Sequence, residues 1–189
     1  MRYKEIETKY DAANVSMQQF IDFVEKLGTP INKWMMVSSF DDYFVNPGGE
    51  FIRYRYTDDR GELTIKQKTN DNNNNERIEV NLPTKGDNLK TVTEFCKLAG
   101  YSYNFGIYKT CKIAWVDKVV LVWYVVYDKD MKELRRFIEI EANEDLEWAT
   151  EADAWNEVVK YEKMMESFNI TYQNRLKKSL FEMFRKTEK

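Results

Sequence analysis

The sequence contains no histidine. This absence excludes Ser-His-Asp and Cys-His catalysis, histidine-ligated zinc and acid–base catalysis by imidazole. Cysteine is scarce too, because Cys96 and Cys111 are too few for a disulfide framework, and a reducing cytoplasm is the simpler context for them. The chemistry of this protein must therefore rest on carboxylates, amines and guanidinium groups, and the metals that suit this set are hard ones.

Long apolar segments are missing as well. The longest run, VVLVWYVV at residues 119–126, is far shorter than the roughly 20 residues that span a bilayer. The opening segment MRYKEIETKY is charged throughout, unlike a signal peptide. The formal net charge of −3 gives no general attraction to nucleic acid or acidic membranes. We therefore expect a cytoplasmic protein with no membrane partner and no sequence-specific nucleic-acid partner, and the oligomeric state stays open, a homodimer included.

What is present predicts a compact α+β fold. Hydrophobic residues make up 43% of the 189 residues, which is typical of one globular domain over residues 1–189. Alternating patterns predict strands at 3–10, 35–45, 51–56, 62–68, 76–82, 108–115, 119–127 and 137–142. Helical patterns begin near residues 16, 87, 150 and 171. Strands that follow one another without helices favour an antiparallel sheet. We predict a closed eight-stranded antiparallel barrel, with charged faces pointing inward and helices packed outside.

Four strands carry pairs of like charges two residues apart, which places both members of a pair on one strand face. The pairs are Arg53/Arg55, Lys66/Lys68, Glu5/Glu7 and Glu139/Glu141, and Arg77/Glu79 is mixed. One such pair is typical of any solvated strand, but four pairs separated by sign are not. Like charges crowded on one sheet face destabilise it, so the basic hairpin at 51–68 predicts a bound anion. Basic pairs suit phosphate oxygens, whereas acidic pairs suit Mg²⁺ or Mn²⁺.

These motifs resemble, in the same order, those of the CYTH superfamily, the triphosphate tunnel metalloenzymes. The opening Glu5-Ile-Glu-Thr-Lys9 is similar to the ExExK signature of that family. Further similar motifs are Asp41-Asp-Tyr-Phe44, Phe51-Ile-Arg-Tyr-Arg55, Leu63-Thr-Ile-Lys-Gln-Lys68, Arg77-Ile-Glu79, Phe137-Ile-Glu-Ile-Glu141 and Lys178-Ser-Leu-Phe-Glu182. The resemblance covers nearly the whole chain, and the ordered set is far more specific than any single motif.

The resemblance implies a closed antiparallel barrel whose tunnel holds a triphosphate together with Mg²⁺ or Mn²⁺. By matching position, the metal ligands would be Glu5, Glu7, Glu79, Glu139 and Glu141. The residues that hold phosphates would be Lys9, Arg53, Arg55, Lys66, Lys68, Arg77 and Lys112. Those that take part directly in catalysis would be Glu5, Glu7, Lys9 and Glu141.

The sequence departs from the family pattern in places. Asn81 stands where many members carry a second glutamate, which weakens a second metal site. A later strand carries Lys109 and Lys112 instead of the family's K-x-R. Aligning Lys112 with the family arginine leaves the role of Lys109 open and predicts three outward-pointing residues, Cys111, Ile113 and Trp115. The aspartate that precedes F-x-E-x-E is Asp128 or Asp130, and spacing does not decide between them.

Three functions are compatible with this reading. The first is a metal-dependent phosphohydrolase acting on a nucleoside triphosphate, thiamine triphosphate or tripolyphosphate. The second is a class IV adenylate cyclase, in which the ribose 3′-hydroxyl attacks the α-phosphate. The third is a module that binds a triphosphate or an RNA 5′ end without turnover. The sequence carries no motif for the group attached to the triphosphate.

Overall fold

The computed structural model describes residues 4–68, 76–85 and 88–186, and the side chains at 4, 5, 66–68, 76–78 and 85 lie outside this description. Within it the fold is α+β, as predicted. The strands are β1 (Lys4–Asp11), β2 (Ile31–Val45), β3 (Phe51–Tyr56), β4 (Arg60–Lys68), β5 (Glu76–Lys85), β6 (Ser102–Val116), β7 (Val119–Tyr127) and β8 (Glu133–Ala142). The α-helices are α1 (Met17–Lys26), α2 (Leu89–Leu98), α3 (Glu151–Met164) and α4 (Leu180–Phe184).

The eight strands form one antiparallel sheet in the order β1-β5-β4-β3-β2-β6-β7-β8, and β8 pairs with β1 again. β1 is divided between its two neighbours, since Lys4–Ile6 pair with β5 and Glu7–Asp11 pair with β8. Among pairs of described residues, none in β1 is paired on both sides. The prediction of a closed barrel therefore needs correction here, because the described hydrogen-bonded ladders do not run continuously around the circle. We describe a single curved sheet with an inner and an outer face.

Several strands are longer than the sequence pattern predicted. β2 and β6 each have 15 residues and begin several positions before the predicted starts at 35 and 108. β5 continues through Pro83, which was predicted to stop it. Proline is tolerated there because β5 pairs with β1 only at residues 76–78 in the described registers, so Pro83 lies on a strand edge that needs no further donor.

The outer face of the sheet is covered by helices, in agreement with the prediction. A first cluster of buried side chains, beneath α1 and α3, includes Phe20, Val24, Leu121, Ile140 and Val158. A second, beneath α2, includes Ile52, Tyr54, Leu63, Val92 and Cys96. Fully burying an aliphatic or phenyl side chain contributes about 1.5–3 kcal/mol, so these clusters hold the helices on the sheet.

The inner face is charged on one side and apolar on the other, which corrects the prediction of a uniformly polar tunnel. Its buried apolar cluster includes Tyr43, Phe105, Val122, Phe137 and Phe181. The reason lies in β7, where VVLVWYVV offers no alternation between polar and apolar residues. Both faces of β7 are therefore apolar or aromatic, and the inner one meets α4 and its neighbours.

The segment after α3 differs most from the prediction of a long helix beginning near residue 171. A short 3₁₀ helix spans Tyr172–Asn174, the backbone is extended at Arg175 (φ −58°, ψ 131°), and α4 has only five residues. Arg175 explains the interruption, because it pairs with Tyr10 of β1 as an isolated bridge while its guanidinium binds Glu162 of α3. The chain is thus held against β1 instead of continuing as a helix.

α4 closes one end of the inner face. Ser179 caps it by accepting a hydrogen bond from the backbone N–H of Glu182. The ring of Phe181 stacks on Phe51 with a centroid separation of 4.4 Å and lies 6.0 Å from the rings of Tyr43 and Phe105. The aromatic side chains of the inner face therefore pack against α4.

Candidate functional site

Three glutamates from β1 and β8 meet on the inner face. Glu7 pairs with Glu141 across the two strands, and Lys9 pairs with Glu139 two residues further on. One carboxylate oxygen from each of Glu7, Glu139 and Glu141 lies within 4.8 Å of the others. We call these three residues the carboxylate cluster. Its assembly follows from the two E-x-E alternations, which the antiparallel register of β1 and β8 brings face to face.

The ammonium group of Lys9 lies against the carboxylate cluster. Lys9 Nζ lies 2.9 Å from Glu139 Oε1 and 4.0 Å from Glu7 Oε1, and the Tyr124 hydroxyl donates to Glu139 Oε1 at 2.8 Å. Burial alone would raise the pKa of Glu139, but Lys9 lowers it, so this carboxyl stays ionised. Three carboxylates that offer only oxygen ligands fit a hard divalent cation such as Mg²⁺ or Mn²⁺.

A second cluster on the inner face has the opposite imbalance. Asp41 is fully buried, and Arg55 holds it in a bidentate pair, Nε to Oδ1 at 2.8 Å and a terminal nitrogen to Oδ2 at 3.0 Å. Lys109 Nζ lies 3.1 Å from the same Oδ2. Burial alone would raise the pKa of Asp41, but Arg55 and Lys109 hold it well below its usual range. We call Asp41, Arg55 and Lys109 the cationic cluster, because two cations share one carboxylate.

Arg53 extends the positive surface along β3. Its terminal nitrogen donates to Thr64 Oγ1 at 3.0 Å and lies 3.5 Å from a Glu62 oxygen and 3.7 Å from a Glu79 oxygen. Its Nε is buried and has no hydrogen-bond partner among the described residues. Buried donors are nearly always satisfied, so an unpaired guanidinium N–H on the inner face is a feature that an anionic ligand would complete.

Several predicted site residues are placed differently or lie beyond the description. Glu79 is not part of the carboxylate cluster and instead lies near Arg53. The side chains of four predicted residues fall outside the described part of the structure, namely Glu5, Lys66, Lys68 and Arg77. Their backbones lie in β1, β4 and β5, and the registers pair Lys68 with Arg77 and Glu5 with Arg77. Asp128 accepts hydrogen bonds from the backbone N–H groups of Asp130 and Lys132, so it shapes the turn after β7.

The placement of Lys112 corrects the sequence alignment. Lys112 lies on the outer face, where its Nζ is 4.7 Å from the ring centroid of Trp34. Lys109 points inward instead. Cys111, Ile113 and Trp115 share the inner face with Lys109, although they were predicted to point outside. The signal was available in the two-residue alternation counted from Lys109, but the apolar character of the following residues favoured the wrong choice of face.

Asp41 is the functional candidate that the sequence reasoning missed. It belongs to the Asp41-Asp-Tyr-Phe44 motif, and its cross-strand partner in β3 is Arg55. The signal lay in pairing an acidic residue of one strand with the basic pair of the next. The register between the two strands depends on the turn at residues 46–50, and the alternation of charges along each strand does not contain it.

Comparison with known proteins gives a result at the level of structure. No family model and no curated protein matches the chain. It is similar to a conserved hypothetical protein from Pyrococcus furiosus (20% identity, TM-score 0.72, covering 95% of this chain and 99% of that one). It is also similar to a putative adenylate cyclase from Vibrio parahaemolyticus (13% identity, TM-score 0.65, 97% and 98% covered). The CYTH resemblance is confirmed at the level of the fold.

A chain of a larger assembly has a similar fold as well. A chain of the Schizosaccharomyces pombe Mediator head module has a TM-score of 0.60 at 11% identity, with 88% of this chain and 96% of that one covered. At these identities the likeness concerns the fold alone. Among the described residues, no helix has both the length and the apolar character needed to cross a membrane.

Proposed function

We propose that this protein is a metal-dependent enzyme that hydrolyses a triphosphate bound on the inner face of its sheet. The observation that carries the proposal is the separation of charge into a cluster of three carboxylates and a cationic cluster around Asp41. A metal–triphosphate complex has the complementary arrangement, a divalent cation beside a chain of anionic oxygens.

The carboxylate cluster would hold the divalent cation through Glu7, Glu139 and Glu141. When bound, Mg²⁺ or Mn²⁺ supplies Lewis-acid polarisation of a phosphoryl oxygen. Lys9 lies between this cluster and the rest of the inner face, 2.9 Å from Glu139. It can therefore exchange its carboxylate partner for a phosphate oxygen without leaving the site. Glu5, whose side chain is outside the description, is proposed as a further ligand from the sequence alone.

Arg53, Arg55 and Lys109 would hold the phosphate chain. Arg55 keeps Asp41 as a bidentate partner, which fixes its guanidinium plane while about a third of the side chain stays accessible. Guanidinium groups bind phosphate through paired N–H donors, and fixed cations need no reorganisation as charge develops. Lys66, Lys68 and Arg77 complete the proposed set from the sequence.

In the hydrolytic reaction, a water molecule attacks the terminal phosphorus in line with the bridging oxygen. The new P–O bond forms as the bridging bond breaks, the electron pair stays with the departing diphosphate, and the proton of the water passes to solvent. Such reactions depend mostly on positioning and charge stabilisation. The inner-face cations supply both.

Two alternatives remain distinct proposals. The similarity to a putative adenylate cyclase favours cyclisation, in which the ribose 3′-hydroxyl replaces water as the nucleophile. A triphosphate-binding module without turnover is favoured by Glu79, which stands near Arg53 instead of joining the carboxylate cluster, and by Asn81. A shared fold does not fix chemistry, so products must decide.

Product analysis separates the three functions. The protein is incubated with ATP, GTP, thiamine triphosphate and tripolyphosphate, with Mg²⁺ or Mn²⁺ and with EDTA as control. Orthophosphate supports hydrolysis, whereas pyrophosphate with a cyclic nucleotide supports the cyclase. Binding without product in any metal supports the module. Turnover that persists in EDTA would contradict both enzymatic proposals.

A further inference from the structure

The inward side chains of β7 are apolar with one exception. Three of them are valines, Val120, Val122 and Val126, and the fourth is Tyr124. β7 is described in full, so Tyr124 carries the single hydroxyl that this strand places on the inner face. A phenyl ring would fill the same apolar space, and a buried hydroxyl requires a hydrogen-bond partner. The hydroxyl of Tyr124 therefore calls for an explanation beyond packing.

The pairing registers place Tyr124 between the carboxylate cluster and the cationic cluster. Tyr124 pairs with Cys111 of β6 and with Phe137 of β8. Lys109 and Glu139 each lie two residues away from those partners, so both are diagonal neighbours of Tyr124 on the inner face. Aromatic side chains reach diagonal neighbours across a sheet. The register therefore brings one side chain into contact with both clusters.

The ring of Tyr124 is held firmly in this position. It is almost fully buried and stacks on the ring of Phe137 with a centroid separation of 5.1 Å. Lys109 Nζ lies 5.4 Å from the centroid of the Tyr124 ring and 3.1 Å from Asp41 Oδ2. A ring packed among such neighbours has little freedom to turn, so the position of its hydroxyl oxygen is fixed as well.

The hydroxyl is directed at a carboxylate that the proposed function assigns to the metal. It donates to Glu139 Oε1 at 2.8 Å, and Lys9 Nζ lies 2.9 Å from the same oxygen. A carboxylate has two oxygens, each with room for more than one partner. Because both donors approach Oε1, they fix the plane of the Glu139 carboxylate while Oε2 stays available to a cation.

We infer that Tyr124 is a positioning residue, whose hydroxyl orients the Glu139 carboxylate so that its free oxygen is presented to the divalent cation of the carboxylate cluster. This inference rests on the proposed function and adds a residue that acts through Glu139. Without the hydroxyl, the carboxylate would be free to turn toward Lys9 and away from Glu7 and Glu141. Hydrogen-bond partners of metal ligands are typically worth about ten- to a hundredfold in metal affinity or activity.

The test removes the hydroxyl and keeps the ring. Tyr124→Phe retains the stacking on Phe137 and the contact with Lys109. Tyr54→Phe is the matched control, because Tyr54 is an equally buried tyrosine of the outer face, with its hydroxyl 3.4 Å from Thr84 Oγ1. Dissociation constants are measured by calorimetry, for Mn²⁺ without substrate and for tripolyphosphate in EDTA. A ligand-free melt of each variant checks folding.

We expect Tyr124→Phe to weaken Mn²⁺ binding by about tenfold or more, and to change metal-free tripolyphosphate binding by less than about twofold, because the cations keep their places. Where turnover occurs, the Mn²⁺ concentration for half-maximal activity should rise by the same factor. Excess Mn²⁺ should then restore kcat to within about threefold of the parent, since the hydroxyl touches neither metal nor substrate. Tyr54→Phe should leave all of these quantities unchanged.

Three results would overturn the inference while leaving the proposed function standing. One is an unchanged Mn²⁺ affinity in Tyr124→Phe, which would limit the hydroxyl to satisfying its own burial. Another is an equal loss of Mn²⁺ and tripolyphosphate affinity, which would make Tyr124 structural. The third is failure of Tyr124→Phe to fold, which would assign the hydroxyl to stability. A parent protein that binds no Mn²⁺ would instead contradict the metal role in the proposed function, and the inference with it.

Discussion

The carboxylate cluster and the cationic cluster are built from the same residue types but have opposite imbalances. Among the described side chains, Lys9 lies beside three carboxylates, whereas Arg55 and Lys109 lie beside the single carboxylate of Asp41. Each cluster on its own is a costly arrangement, because buried charges require compensation. Within the described part of the chain, one cluster is therefore rich in carboxylates and the other is rich in cations.

The largest effect is expected from removing the carboxylate of Asp41 from the cationic cluster. In Asp41→Asn, Arg55 and Lys109 lose their shared carboxylate in a buried setting, which should cost about 3–5 kcal/mol in the free energy of unfolding. Urea unfolding measures it, and tripolyphosphate should restore part of the loss by supplying anionic oxygens. A loss below about 1 kcal/mol would show that these cations do not depend on Asp41. Asp58→Asn, an exposed change in the turn between β3 and β4, is the control.

The second prediction breaks the carboxylate cluster. Glu141→Gln removes one charged oxygen ligand at nearly constant volume. Turnover should fall at least a hundredfold, because mutating even the hydrogen-bond partners of metal ligands typically lowers metal affinity or activity by about ten- to a hundredfold. The melting temperature should be unchanged or higher, because repulsion among the glutamates decreases. Glu133→Gln, an exposed change in the same strand, is the control. Full activity of Glu141→Gln would contradict the metal assignment.

The third prediction sharpens the choice between the two lysines of β6. Tripolyphosphate at a hundredfold excess over its dissociation constant should stabilise the protein by about 2.7 kcal/mol, a rise of several degrees in melting temperature. Lys109→Met should weaken this binding about tenfold by removing a charge-assisted hydrogen bond. Lys112→Met, on the outer face, should leave it within about twofold. The reverse order of effects would return the phosphate role to Lys112.

The smallest expected effect concerns Asp42, which lies on the outer face opposite Gly106. A Cβ at Gly106 would approach Asp42 Oδ1 to 2.3 Å, so glycine makes room for this carboxyl. Burial, followed by the charge of Asp41, raises the pKa of Asp42 to about 6. The folded state therefore holds this proton more tightly than the unfolded chain, whose aspartate pKa is about 3.9. Asp42 favours folding at low pH, and this contribution is lost as the pH rises through about 6.

Asp42→Asn stays neutral at every pH and should remove that loss. We expect its melting temperature to exceed that of the parent by about 2 °C at pH 8, because the partial exposure of the carboxyl limits the penalty. The difference should vanish near pH 4. A constant difference between pH 4 and pH 8 would mean that Asp42 does not titrate in this range.

The alternation of charges predicted the parts of the site that depend on two-residue periodicity alone. Arg53 and Arg55 share the inner face, as do Glu139 and Glu141, because a strand leaves no other choice. Lys112 was placed wrongly because a run of apolar residues next to it suited either face. Whether Trp115 pointed inward depended on the register of β6 against β7, which no local pattern contains.

The prediction of the fold was correct where it depended on local patterns and wrong where it depended on contacts remote in sequence. Ser16 and Thr150 cap α1 and α3 through local hydrogen bonds, and both helices begin close to the predicted positions 16 and 150. α4 is short because Arg175 binds Glu162 and Tyr10, contacts that are remote in sequence. The interruption of the described ladders at β1 likewise depends on how β1 divides its pairing between β5 and β8. Domain organisation over residues 1–189 stays a prediction.

The pairing of β1 with β8 has a consequence for how the molecule is made. Glu7 can pair with Glu141 only after more than a hundred intervening residues have been synthesised. The pairing of Tyr10 with Arg175 requires a still longer segment. Contacts of such separation close slowly, because the entropy of a long loop is lost before they form. A nascent chain that ends before β8 would contain the residues of the cationic cluster without Glu139 and Glu141. The carboxylate cluster is therefore assembled late in folding, after most of the sheet already exists.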